Sequence, residues 1–158
     1  MPTIENLKEV LPDGFVLFQP KDIVRGDFYW LQHHKDKGST LQVAAAYNPV
    51  LIIRNGELIE LKADRQPVGY LTGKQEAFTH HELKLERGDT VYIFSDGYPD
   101  QFGGPKDRKF MMKNFKKLLL SIQDKTMNEQ KTILETTMKK WKGDTEQIDD
   151  ILVMGVRF

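Results

Sequence analysis

The sequence predicts an α+β fold, with strands through the first two thirds, then two helices, then a strand that returns at the end. Three observations carry this. Short β-branched and aromatic runs bounded by Gly, Pro and Asn recur over residues 14–95. Apolar spacing then becomes helical over 113–143. The chain closes on "DDILVMGVRF" (149–158), an apolar run preceded by two acids. Strands, helices and one returning strand suit helices laid on one face of an antiparallel sheet.

Each element has its own local reason. "GFVLFQP" (14–20) and "DFYWLQHH" (27–34) are aromatic and β-branched runs bounded by Pro and Gly. In 40–61, Asn55-Gly56 separates "VLIIR" from "ELIEL". Asn-Gly is the preferred two-residue hairpin turn because both central positions need positive φ. Two further strands, "THHELKL" and "TVYIFS", flank a turn at Arg87-Gly88-Asp89. The first helix has Phe115, Leu118, Leu119 and Ile122 at helical spacing, and the second repeats this with Met127, Gln130, Ile133, Leu134, Met138 and Trp141. Lys139, Lys140 and Lys142 in its last turn and Gly143 beyond it match dipole and C-cap preferences.

Composition narrows the function classes. At 158 residues the chain is expected to form one domain, 1–158. Lys+Arg and Asp+Glu balance at 23 each, which argues against binding driven by a basic excess, so neither nucleic acid nor a membrane surface is expected as partner. The absence of cysteine excludes disulfides, thiolate zinc sites and cysteine nucleophiles. The first residues lack a long apolar region, and no run approaches the roughly 20 residues of a membrane span, so a cytoplasmic protein is expected.

The carboxylates at strand ends are the candidate chemistry. Asp27 opens a strand in "VRGDFYW", Asp96 closes one in "VYIFSDG", and Asp149 and Asp150 open the last. Strand ends fix a side chain's position while aiming it at solvent. Three converging carboxylates would bind a cation or raise a pKa, and oxygen-only ligation suits Mg²⁺ or Mn²⁺. The competing reading is that Asp96 before Gly is a common turn element, and Asp89, Asp36 and Asp64 also read as turn residues. Spacing leaves both readings open. His33-His34 and His80-His81 are adjacent pairs on strands, point to opposite faces, and cannot chelate one ion together. Lys113, Lys116 and Lys117 read as the solvated face of a helix.

As a set, these stretches resemble the SpoIIE-type family of bacterial serine phosphatases, of the metal-dependent PP2C-like class. "FVLFQPKDIVRGDFYW" is similar to that family's first segment, usually ending S-G-D-F-Y, with Arg25 in place of the serine. "AAAYNPVLIIRNGELIEL" resembles a segment that often reads A-G-A-N-N-P-L-x-x-x-R-x-G, and "PVGY" its P-I-G or P-L-G signal. "LERGDTVYIFSDGYPDQFGG" and "QIDDILVMGVRF" resemble the D-G segment and the terminal D-D-I strand. The resemblance implies a PP2C-like antiparallel β-sandwich with flanking helices. It implies that Asp27, Asp96 and Asp149 are metal ligands, with Asp150 beside the last. The family uses two Mg²⁺ or Mn²⁺ ions to hydrolyse phosphoserine or phosphothreonine by activated water. The implied partner is a phosphorylated regulator of the anti-sigma-factor-antagonist type.

One departure bears on all of this. Between "DFYWLQHHKD" and "KGSTLQVAAAY" the family carries a block with a strand ending A-D-x-x-G-H-G and two helices. Here the junction is only "HHKDKGST" (33–40), and no D-x-x-G-H-G occurs. The resemblance then implies a fold shortened by one internal strand and two helices, with one weak metal site or none. The alternative function is a catalytically dead binding or dimerisation module. "DFYWLQHH" is expected to pair directly with "TLQVAAAY" through Lys37-Gly38. The bared face is expected to be apolar and to favour a homodimer.

Overall fold

The computed structural model describes residues 13–21, 40–66 and 76–158, and the backbone of 29–34. Ten strands and three helices lie among them, in the expected α+β order. The strands are β1 (Gly14–Gln19), β2 (Tyr29–His34), β3 (Thr40–Ala45), β4 (Val50–Arg54), β5 (Glu57–Leu61), β6 (His81–Lys84), β7 (Thr90–Phe94), β8 (Phe102–Gly103), β9 (Arg108–Lys109) and β10 (Ile151–Arg157). The helices are α1 (Gly97–Asp100), α2 (Met112–Ser121) and α3 (Met127–Lys142).

A five-stranded antiparallel sheet, in the order β1-β10-β7-β4-β5, forms the centre. A three-stranded antiparallel sheet, β2-β3-β6, packs on one of its faces, and α2 and α3 cover the other. β4 shows why. It is buried along its length except at Arg54, so successive side chains enter opposite cores. Leu51 and Ile53 join Tyr92, Phe94, Phe115 and Leu134 under the helices, whereas Val50 and Ile52 meet Leu41, Val43 and Val91 between the sheets. The β4–β5 hairpin turns at Asn55 and Gly56 with φ of 50° and 80°, as the Asn-Gly pair requires.

The closure of the shortened junction is as expected. β2 pairs directly with β3, from Tyr29 opposite Ala45 to His34 opposite Thr40. Lys37, Gly38 and Asp36 lie outside the described residues. The expected apolar outer face is not found on β3 and β6. Outward positions there are Thr40, Gln42, Ala44, Glu82 and Lys84, and Gln42 Nε2 donates to Glu82 Oε2 at 3.1 Å. The outward residues of β3 and β6 suit contact with water.

The helices are anchored by features the residue pattern only half announced. Thr126 and Glu129 form a reciprocal capping box at the start of α3, and Gly143 closes its end at φ 52°. Beneath α3, Gln123 Nε2 donates to Tyr92 Oη at 2.7 Å and Tyr92 Oη donates to Gln130 Oε1 at 2.6 Å. Burial pushes the Tyr92 hydroxyl up to about 12, so it stays a neutral donor throughout the physiological range. Gly155 leaves the gap that the Phe15 ring fills, since a Cβ there would lie 2.6 Å from Phe15 Cε1.

Asp89 does more than turn the chain. Its carboxylate is almost fully buried and accepts from Arg54 Nε at 2.9 Å, Arg54 Nη2 at 2.6 Å and the Glu86 N–H at 2.8 Å. Burial opposes ionisation, but the Arg54 fork and the Glu86 N–H outweigh it and hold the carboxyl below the usual range. A depressed folded-state pKa gives stability that is complete above the unfolded value of about 3.9 and lost as pH falls through the folded one. Urea midpoints measured from pH 7 downward should therefore fall below about pH 4. Arg54→Ala should lower the urea midpoint at pH 7, because it leaves the buried Asp89 carboxylate without its guanidinium partner.

Candidate functional site

The acids sit where three strands of the central sheet end together. β7 pairs with β10 up to Phe94 opposite Val153, and β10 pairs with β1 up to Ile151 opposite Gln19. Just beyond, Ser95 N–H donates to the Leu152 carbonyl at 3.0 Å. Ser95 Oγ donates to the Asp150 carbonyl at 2.6 Å and accepts the Leu152 N–H at 2.9 Å. One hydroxyl thus satisfies two backbone groups where the ladder would otherwise fray. The tip of β7 and the start of β10 are locked together, and Asp96 follows immediately.

Asp96-Gly97 is not a turn device here. Asp96 has φ −67° and ψ −17°, precedes the single helical turn of α1, and makes no side-chain capping hydrogen bond. Gly97 is needed for close approach instead, since a Cβ on it would lie 2.3 Å from the Asp150 carbonyl oxygen. The glycine after Asp96 therefore answers to packing against the start of β10.

Asp149 and Asp150 separate by function. Asp150 Oδ1 accepts the Lys21 N–H at 2.5 Å, tying the end of β1 to the start of β10. Asp149 is exposed, and its Oδ1 accepts the Asp150 N–H at 2.7 Å. The Asp96 carboxyl is held above its usual range by partial burial, then by the negative charges of Asp149 and Asp100. The structure thus brings Asp96 and Asp149 into electrostatic reach of each other, with Asp150 as the adjoining tie. Asp27 lies outside the described residues, and Tyr29, two positions later, stands opposite Ala45 at the end of β3.

Sequence reasoning passed over Asp100 and Ser95. Asp100 is one helical turn past Asp96, its N–H donates to the Asp96 carbonyl at 2.9 Å, and its carboxylate is bridged by Lys109 Nζ at 2.7 Å. The four-residue spacing was visible, but it means something only once α1 is known to be helical. Of the histidines, His80 is exposed and His81 Nε2 lies 2.9 Å from the Lys62 carbonyl oxygen, so neither serves the acids. The side chains of His33 and His34 lie outside the described residues.

Carboxylate oxygens favour hard ions such as Mg²⁺ or Mn²⁺ over softer ones. Among the described residues no group of three or more acids or histidines is placed to hold one.

The model of the family "Stage II sporulation protein E (SpoIIE)" matches residues 28–158. The chain belongs to the SpoIIE family. Solved structures place its fold. The SiaA-PP2C domain of Pseudomonas aeruginosa is similar with a TM-score of 0.76 at 20% identity, over 98% of this chain and 89% of that one. A Mn-presoaked structure of the phosphatase domain of SpoIIE from Bacillus subtilis gives 0.60 at 18% identity, over 84% and 56% respectively. The RsbU and RsbW domains of Rv1364c from Mycobacterium tuberculosis give 0.53 at 20%, over 75% and 32%. No curated protein is matched at significant similarity. At these identities the structures establish the fold, a PP2C-like phosphatase-domain fold in this member of the SpoIIE family.

Gly97→Ala tests the close approach. The added methyl has only backbone to meet, so the tip of β7 or the start of β10 must shift. Overpacking of this kind costs typically about 1–3 kcal/mol, readable as a lowered urea midpoint with an unchanged m-value.

Proposed function

We propose that the chain, as a single unit over 1–158, is a metal-dependent protein serine/threonine phosphatase domain of a bacterial signalling regulator. Asp96 and Asp149 would hold a divalent cation, Mn²⁺ or Mg²⁺, together with Asp27. The observation that carries this is that the end of β7 and the start of β10 are locked together through Ser95, which brings Asp96 and Asp149 to one strand tip. There burial first, and then the charges of Asp149 and Asp100, hold the Asp96 carboxyl above its usual range. A cation there supplies water activation and neutralisation of phosphoryl charge. The chain's own residues supply position. Ser95 fixes the tip of β7, Gly97 allows α1 to start against β10, and Lys109 holds Asp100 aside in an ion pair. Asp150 acts through Lys21 as a tie between strands. The substrate class is a phosphorylated protein regulator of the anti-sigma-factor-antagonist type, a reading supported by the likeness to a chain with RsbU and RsbW domains.

A second reading, a binding module of the same fold without turnover, is favoured by a separate observation. The sequence has no D-x-x-G-H-G, and the described residues hold no complete ligand group. Millimolar Mn²⁺ separates the two. The phosphatase reading expects hydrolysis of p-nitrophenyl phosphate and of a phosphoserine peptide. It also expects a Mn²⁺-dependent rise in melting temperature, since ligation of the native state alone adds about 2.7 kcal/mol at a hundred times Kd. Asp96→Asn should abolish both while the protein stays folded. Absence of turnover and of any Mn²⁺ shift in the parent protein would leave the binding module.

A further inference from the structure

The connection between β3 and β4 holds two residues that cost stability side by side. Tyr47 has φ 59°, a region that bulky side chains rarely adopt, and its side chain is nonetheless exposed, at 53% of its full surface. Its neighbour Asn48 is buried at 6%, and its Nδ2 has no hydrogen-bond partner among the described residues. Burying an unpaired amide and straining a backbone each work against folding.

The surrounding structure over-determines this conformation. Asn48 N–H donates to the Ala46 carbonyl at 2.7 Å, closing a three-residue turn with Tyr47 at its centre. Tyr47 N–H donates to the Asp64 carbonyl at 2.9 Å, and Asp64 N–H to the Ala45 carbonyl at 2.9 Å. Asp64 is pinned in turn, its carboxylate accepting the Thr79 N–H at 2.6 Å and Thr79 Oγ1 at 2.8 Å. These two Thr79 bonds, backbone first, hold the Asp64 carboxyl below its usual range. The sequence "AAAYNP" puts Tyr where the resembling segment often has Asn, and Asn tolerates positive φ far better.

The position of this turn gives it a use. Leu51 on β4 stands opposite Tyr92 on β7. Tyr47 is four residues before Leu51 and Asp96 four residues after Tyr92, so both leave the same end of the same antiparallel strand pair. An exposed aromatic ring, held at a cost to the backbone, thus leaves the strand pair at the same end as Asp96.

We propose that Tyr47 is a specificity-determining residue that packs against the peptide chain flanking the phosphorylated residue of a protein substrate at the Asp96–Asp149 edge. This rests on the reading of that edge as the phosphoryl site. It assigns to Tyr47 a contact with the flanking peptide, which a small phosphate ester lacks. Asn48 is the buried foot of the same turn and has no direct contact with substrate.

The test compares the parent protein with Tyr47→Asn and Tyr47→Gly, both tolerant of positive φ. The probes are p-nitrophenyl phosphate and a ten-residue phosphoserine peptide with Mn²⁺, and a fluorescein-labelled copy of the peptide read by anisotropy. The expected result is a fall of about 3- to 10-fold in the ratio of kcat/KM for peptide over p-nitrophenyl phosphate, from the loss of one aromatic contact. Peptide binding should weaken by the same factor, with no loss of melting temperature. Hydrolysis of both probes with an unchanged ratio overturns the inference and leaves the phosphatase reading standing. Peptide binding that weakens in the variants, without hydrolysis in any protein, overturns the phosphatase reading and keeps the inference. A lowered melting temperature with unchanged peptide binding assigns Tyr47 to structure alone, and no peptide binding in any protein overturns both.

Discussion

The contact on which the candidate site depends is the meeting of Ser95 and Gly97 with the backbone of Asp150. Ser95 Oγ serves as donor and acceptor at once to residues at the start of β10, and Gly97 lets the chain pass against the same carbonyl. Both effects are backbone-directed, so they fix where Asp96 and Asp149 stand without using either carboxylate. A serine-to-larger change or a side chain at 97 would move the acids even though neither touches them. The precision of the acid pair is thus inherited from the sheet, which is more rigid than a loop.

That sheet owes its rigidity to being packed on both faces. β4 and β7 alternate between two apolar clusters, one under α2 and α3 and one against β2-β3-β6. The acids contribute to neither cluster. Stability and site chemistry are therefore separable in this chain, with the Arg54–Asp89 pair and the Tyr92–Gln130 bond supporting the core from positions remote from Asp96 along β7. The phosphatase and binding-module readings draw on one scaffold.

Much of this was legible before any coordinates. The Asn55-Gly56 hairpin, both helices with their lysine-rich end, and the returning strand follow from turn chemistry and apolar period, which are local properties. The convergence of Asp96 with Asp149 was legible only through the shared context of strand ends, because it depends on β7 and β10 being neighbours across more than fifty residues of chain. What stayed hidden was set by tertiary contact. Asp96-Gly97 carries the signature of a turn, yet the glycine answers to the Asp150 carbonyl. Asp89 likewise reads as a turn residue, and its partner Arg54 lies on β4. The outer face of β3 and β6 was expected to be apolar from the missing helices, but the alternation of Thr40, Gln42 and Ala44 with buried Leu41, Val43 and Ala45 already encoded a wet face.

The distribution of unfavourable features is the last link. Within the described fold the raised carboxyl of Asp96, the positive φ of Tyr47 and the unpaired amide of Asn48 all gather at one end of the β4–β7 pair. Other parts of the fold agree with their surroundings, as at the box of Thr126 and Glu129, the glycine at 143 and the buried hydroxyl of Tyr92 with two partners, whereas Met111 also has positive φ, at 76°. Local conflict is the pattern expected where residues are kept for something other than stability. Repulsion between Asp96 and Asp149 is a cost that a bound cation would offset, and strain at Tyr47 is a cost that a bound peptide would offset. The two sit at the same end of the same strands, which is the geometry required if one substrate supplies a phosphoryl group to the first and flanking chain to the second.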